Sequence, residues 1–247
     1  MTDEPRSGAR AVDRAIGVLN CFQGDDPELT LSELAQRAGL PVSTAHRLTQ
    51  ALVRGGLLEQ SPASDRYRVG HGLAALARPA LARLGLESAA PHLYALAAGI
   101  RITVSVSVMD DRDAVTVFQA RPPVHFCHHQ VPRPRQSLHA SAAGHALLAY
   151  SPARRAAADD DLDRVRRTGF ASELIETDDP IRSLAVPIVG LGRQVHGALA
   201  VQARSARLNS ELVRAVVPAM RIAAGRIAPL LQTTDGAAFS AAEFRSR

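Results

Sequence analysis

TLSELAQRAGLPVSTAHRLTQALVRGGLLEQ, Thr30 to Gln60 of a 247-residue chain, reads as two short helices joined by a tight turn. Thr30 followed by Glu33 makes a capping box, each side chain satisfying the other residue's free backbone N–H, so a helix begins there. Leu31, Leu34, Ala35 and Ala38 give it an apolar face at helical spacing. Gly39 supplies a left-handed stop and Pro41 forbids continuation, so a second helix restarts around Val42 to Ser43. In that helix Ala45, Leu48, Leu52 and Val53 fall on one side, while Ser43, Thr44, His46, Arg47, Gln50 and Arg54 fall on the other. The second set can hydrogen-bond base edges and phosphates. Beyond Gly55-Gly56, the runs LLEQ and RYRV flank SPASD as a hairpin with Arg66 and Arg68 on its return strand. Helix, turn, helix and hairpin make a winged helix-turn-helix. Such geometry also serves protein-interaction modules and enzyme subdomains, but the cap, the turn, the polar outer face and the basic wing together favour DNA.

The length suits two domains, and 46% hydrophobic residues can fill their cores. No apolar run approaches the roughly 20 residues that span a bilayer. MTDEPRSGAR, at the start, is no signal sequence, so a cytoplasmic protein is expected, with no membrane partner. Cys21 and Cys127 form no CxxC pair and no disulfide framework, consistent with a reducing compartment.

The net charge of +5 is not by itself a reason to invoke nucleic acid, because residues 1–70 hold eight Arg against nine acids. Within residues 37–70, however, five Arg face only Glu59 and Asp65, so positive charge gathers on the second helix and the wing. The chain contains no Lys; this reflects genome composition more simply than mechanism.

Ahead of the helix-turn-helix, Ala11 to Phe22 reads as a helix with Val12, Ala15, Ile16, Leu19 and Phe22 on the packed stripe. After the wing, Gly70 to Leu86 is a Leu- and Ala-rich helix interrupted by Pro79, either a linker packing on a partner chain's counterpart or an ordinary buried helix. From Ser88 a helix leads into ITVSVSVM, with Ile102, Val104, Val106 and Val108 on one face and Thr103, Ser105, Ser107 and Met109 on the other. AVTVFQA completes a hairpin, VHFCHHQ is a third strand, SLAVPIV and QVHGALAVQA pair around GLGR, and a helix from about Asn209 to Leu231 closes the domain. Hairpins with helices between and after them argue for an antiparallel α+β sandwich. The expected domains are therefore residues 1–70, a linker at 71–87, an α/β domain at 88–232 and a disordered tail at 233–247.

Within SLHASAAGHALLAY, Ser141 is a good N-cap and Ala142-Ala143-Gly144 leave the first backbone N–H groups of a helix bare. Bare donors at a helix N-terminus favour a carboxylate; equally, small residues let a helix pack tightly on a sheet.

ARAVDRAIGVLNCF, the Thr30–Gln60 stretch, DRYRVGHGLAALA, SLHASAAGHALLAY, and GF followed by IRSLAVPI and GALAVQARSARLN together resemble the isocitrate lyase regulator (IclR) family of bacterial transcriptional regulators, from about Ala9 to Leu231. The resemblance implies a winged-helix domain, a dimerising linker helix and a GAF-like effector domain, in a homodimer or homotetramer that controls a neighbouring catabolic operon. No cofactor and no enzymatic activity are expected. Its DNA contacts would be Ser43, Thr44, His46 and Arg47 with Arg66 and Arg68, on a pseudo-palindromic operator. Its effector pocket would be floored by Ala142 and Ala143 and walled by His125, His128, Glu173, Ser183, Ala200 and Gln202. His145 replaces a usual Lys, Ser183 a frequent Cys, and Ala200 and Gln202 small hydroxyl residues. These departures point to a ligand other than a short keto acid, with an aromatic acid preferred.

Two alternatives stand beside this reading. His125, Cys127 and His129 share a strand face, with His139 and His145 following, but alternate strand residues lie about 7 Å apart and no familiar zinc spacing appears, so no metal is expected. An enzyme is less favoured still. No GxSxG, HExxH, P-loop or GxGxxG follows a strand, and Ser141 with His139 and His145 lacks an orienting acid.

Overall fold

The computed structural model describes residues 7–23, 26–122, 132–151 and 159–231. Its chain divides into two compact units, residues 1–80 and 81–247.

The first unit contains α1 (Ser7–Asn20), α2 (Leu31–Arg37), α3 (Val42–Arg54) and the antiparallel strands β1 (Leu58–Gln60) and β2 (Tyr67–Val69). The capping box forms: the Thr30 hydroxyl accepts from the Glu33 N–H, and the Thr30 N–H donates to Glu33 Oε2 at 2.7 Å. Gly39 takes φ +64°, which a side chain would resist, and α3 restarts at Val42 with Pro41 as its N-cap. Val18, Leu29, Leu34, Leu52, Leu58 and Tyr67 form the core. At about 1.5–3 kcal/mol for each fully buried large side chain, that cluster carries most of the unit's hydrophobic stabilisation. A reciprocal backbone pair between Leu29 and Tyr67, at 2.9 and 2.7 Å, fastens the segment before α2 to the wing.

The packed face of α1 differs from the expected one. Val12 and Ile16 are 58% and 49% exposed, whereas Val18 is fully buried. The inward stripe is Ala15, Val18, Leu19 and Phe22. Two apolar stripes overlap on this helix, and the approach of α3, not periodicity, selects between them.

Helix α4 (His71–Arg83) carries the chain from one unit to the next and continues through Pro79. None of its residues is buried.

The second unit is built on a six-stranded antiparallel sheet in the order β5-β4-β3-β8-β7-β6. Its strands are β3 (Val104–Asp110), β4 (Asp113–Ala120), β5 (Arg135–Ser137), β6 (Ala171–Ile175), β7 (Ile181–Val189) and β8 (Val195–Arg204). Helices α5 (Leu86–Ile100) and α8 (Ser210–Ile227) cover one face through Leu93, Ala97, Val217 and Met220 against Val104, Leu184, Leu199 and Val201. Helices α6 (Ala142–Tyr150) and α7 (Asp160–Thr168) cover the other, where Ala171, Ala185, Ala198 and Ala200 let α6 approach closely. The result is the expected α+β sandwich. Alternation of this kind commonly marks a strand with one wet face, yet Thr103, Ser105 and Ser107 are all buried, because α6 lies over the polar side.

Strand β6 and helix α7 were not foreseen. ASELI shows no apolar–polar alternation to announce a strand, and at the edge of the sheet its outward residues stay wet. The expected VHFCHHQ strand and the tail lie outside the described residues. Among the described residues no helix is long and apolar enough to cross a membrane.

Candidate functional site

The outer face of α3 presents Ser43, His46, Arg47 and Arg54 to solvent, with Thr44 half-buried at its edge. Ala45, Thr49 and Leu52 face inward, so packing fixes the rotation of the helix about its own axis. Among the described contacts Arg47 and Arg54 have no acidic partner. Their charge is available to a phosphate or a guanine edge.

The other predicted DNA-contacting residues stand differently. Gln50 donates from Nε2 to the Tyr67 hydroxyl at 3.3 Å, linking α3 to the wing. Arg66 donates from Nη1 to the Glu28 carbonyl at 3.0 Å and lies 3.5 Å from Glu33 Oε2. Arg68 pairs with Glu59 at 3.2 Å and with Glu28 at 3.8 Å. Arg37 is bound by Asp26 at 2.5 Å. The positive field expected over residues 37–70 is thus partly cancelled by Asp26, Glu28 and Glu33, which lie before that window in sequence and beside it in space. It is concentrated on α3. Glu33 itself is held below the ordinary carboxylate range, first by the Thr30 backbone N–H; the His71 backbone N–H does the same for Glu59.

In the second unit, Ser141 caps α6 by accepting from the Gly144 N–H at 3.0 Å, while its hydroxyl donates to the Ser137 carbonyl at 2.8 Å. A Cβ on Gly144 would come within 2.2 Å of the Leu138 carbonyl oxygen, so only glycine lets this turn close. The Ala142 N–H points at β6 and donates to Glu173 Oε2 at 3.0 Å. Glu173 pairs in register with Ser183 on β7, and Ser183 with Gln202 on β8. Four of the predicted pocket residues therefore form one line at the mouth of α6. Ala143, on α6 itself, and Ala200, on β8, are both buried where the helix packs on the sheet. His125 and His128, with the other members of the HFCHHQ cluster, lie outside the described residues.

Thr103 belongs to this line and was not singled out from sequence. It is fully buried, and among the described residues its Oγ1 meets no hydrogen-bond partner. Because Val104 pairs with Val201, Thr103 stands beside Gln202 on the α6 side of the sheet. Three hydroxyl residues alternating on a strand otherwise made of valine were the available signal. His145 contacts the His139 carbonyl through Nε2 at 3.0 Å, and among the described residues no group of three metal-binding side chains occurs. A groove of about 410 Å³ opens on the opposite face of the sheet, between Leu96 and Ile100 of α5 and Ile222 and Arg226 of α8. It includes none of the predicted effector residues.

Comparison with known proteins agrees with both halves of this architecture. Residues 11–62 match the IclR helix-turn-helix domain, and residues 153–229 match the bacterial transcriptional regulator IclR C-terminal domain. The glycerol operon regulatory protein of Streptomyces coelicolor is 30% identical over 84% of this chain and 92% of its own length. The HTH-type transcriptional regulator BhcR of Paracoccus denitrificans is 28% identical over 92% of this chain and 90% of its own. An IclR homolog from Microbacterium hydrocarbonoxydans, crystallised with 4-hydroxybenzoate, superposes with a TM-score of 0.68 at 26% identity, covering 90% of this chain and 98% of that one.

Proposed function

Since the chain belongs to the IclR family of DNA-binding transcriptional regulators, we propose that it represses a neighbouring catabolic operon in the cytoplasm and is released by a small organic acid, an aromatic acid by preference. The observation that carries the DNA half is the outer face of α3, where Ser43, His46, Arg47 and Arg54 are exposed on a helix held in place by its buried side. Arg47 and Arg54 supply charge and bidentate donors, and His46 and Ser43 supply hydrogen bonds at the helix start, where a recognition helix meets base edges. Arg66 and Arg68 would act chiefly through the shape of the wing. A homodimer, or a homotetramer built as a dimer of dimers, would set two such helices one DNA turn apart, about 34 Å, on a pseudo-palindrome.

The effector half rests on the line of Glu173, Ser183, Gln202 and Thr103 at the N-terminus of α6, and on the 4-hydroxybenzoate held by a relative of the same fold. For the ligand to act it must bind two conformations unequally; a coupling of about 1–3 kcal/mol changes operator affinity from several-fold to a hundredfold. The expected domain limits of 70 and 87 become, on this reading, the ends of the device that transmits that coupling, with α4 as its shaft.

The test is a mobility shift on DNA flanking the chain's own gene, with and without aromatic and aliphatic acids. A specific complex dissolved by one acid is the expected result. A complex strengthened by the acid would reverse the proposed sign, and no complex at low salt would remove the DNA reading.

A further inference from the structure

The first donor at the mouth of α6, the Ala142 N–H, already holds a carboxylate. We infer that Glu173 is a resident carboxylate, an internal stand-in for the effector's own, which an acidic ligand must displace. The inference rests on the effector reading given above and adds a mechanism to it.

The first ground is the bond itself. Ala142 is the first residue of α6, and its N–H donates to Glu173 Oε2 at 3.0 Å from a strand thirty-one residues away in sequence. The Gly144 N–H is consumed by the Ser141 hydroxyl, and the His145 N–H by the Ser141 carbonyl. The first donor of the helix is thus held by an anion, beside the Ala143 N–H, and the dipole strengthens that bond. The second ground is Thr103. A fully buried hydroxyl without a partner is costly to maintain, and this one stands two strands from Ser183 on the same sheet face, beside Gln202. It marks the line as a place where a polar ligand group completes the hydrogen bonding. Glu173 and Thr103 thus stand at the two ends of one polar line that crosses β6, β7, β8 and β3, with its anion position filled and its hydroxyl position open.

Two ionised carboxylates at one helix N-terminus repel each other. Binding of an acid accordingly competes with the Glu173–Ala142 bond, and to the extent that Glu173 must swing out the observed affinity is the intrinsic one reduced by the fraction of molecules with the site vacated. A neutral analogue bears no such cost. Glu173 is thereby a specificity-determining residue that sets the threshold concentration of acid. Because it lies on the edge strand β6, its release also frees that strand from α6, giving ligand binding a mechanical consequence.

The experiment is calorimetric titration of the full-length wild type, Glu173→Ala and Glu173→Gln with 4-hydroxybenzoate and with neutral 4-hydroxybenzamide. The expected result is at least tenfold tighter acid binding by Glu173→Ala, a smaller gain for Glu173→Gln, and less than threefold change for the amide. Acid binding that weakens in Glu173→Ala would overturn the inference and make Glu173 a direct ligand contact; equal strengthening for acid and amide would overturn it by showing only enlarged space. Hydrogen exchange at the Ala142 amide gives a readout independent of any effector. Protection lost at least tenfold in Glu173→Ala supports the resident bond even if neither probe binds, in which case the aromatic-acid reading alone fails. Unchanged exchange overturns the inference.

Discussion

The Arg66 guanidinium lies 3.5 Å from the Glu33 carboxylate, and through it the wing strand is tied to the first turn of α2. Glu33 thus closes the capping box with Thr30 on one side and receives the wing on the other. That carboxylate thereby adds to the Leu29–Tyr67 backbone pair in joining the helix-turn-helix to its hairpin.

Arg66→Ala and Arg47→Ala should consequently fail in different ways. Loss of Arg66 removes a bond to the Glu28 carbonyl and a half-exposed ion pair; surface pairs contribute about 0–1 kcal/mol and a side-chain hydrogen bond about 1 kcal/mol, so melting of the first unit should fall by a few degrees. Loss of Arg47 should leave melting unchanged, weaken operator binding tenfold or more and lower the salt slope by about one unit. Equal DNA defects with no change in melting for either variant would return Arg66 to the role of a direct phosphate contact.

The acid limit of the first unit should depend on Glu33. Its carboxyl is held below the usual range in the folded state, first by the Thr30 backbone N–H and next by the Thr30 hydroxyl. A depressed folded value contributes stability that is complete above the unfolded value of about 4.3 and is lost as pH falls through the folded one. Melting between about pH 5 and pH 3 should therefore drop less steeply in Glu33→Gln, which begins lower because its cap is weaker. Parallel curves for the two proteins would assign the acid limit to other carboxylates.

Gly144→Ala should damage the second unit more than its size suggests. The added methyl would meet backbone of Leu138 at 2.2 to 2.6 Å, and backbone has nowhere to retreat beneath a buried helix start. Overpacking of this kind costs about 1–3 kcal/mol. Thermal unfolding should show it, together with lost effector binding, since the Ala142 N–H is aimed by the same turn. Unchanged melting would mean the turn can open.

Much of this was legible in the chain because short-range chemistry decides it: the Thr30–Glu33 box, the Gly39 stop, the Ser141 cap and the β7–β8 hairpin each need only a few neighbouring residues. What sequence did not disclose depends on who approaches from afar. Val18 outranks Val12 and Ile16 because of where α3 lies. Arg66 and Arg68 lose free charge to Glu33 and Glu28, acids that precede them by 33 and 40 residues in the chain. Glu173 could be placed beside the α6 mouth by resemblance, but its bond to Ala142 is a property of a sheet edge that no local pattern announces.

Two buried threonines offer a last contrast. Thr49 and Thr103 are both fully buried with an unpartnered Oγ1 among the described residues. Replacing such a hydroxyl by the methyl of valine removes an unmet desolvation cost of about 1–3 kcal/mol while keeping the shape, so both Thr49→Val and Thr103→Val should fold at least as stably as the wild type. Their functional effects should part. Thr49 faces the interior of the helix-turn-helix beneath α3, where nothing polar is expected to arrive, so Thr49→Val should bind operator normally. Thr103 stands beside Gln202 at the proposed site, so Thr103→Val should bind an acidic effector several-fold more weakly and need more of it to release DNA. A stabilised Thr103→Val with unaltered effector response would show that its hydroxyl is an uncompensated leftover and would move the site toward the α6 mouth alone.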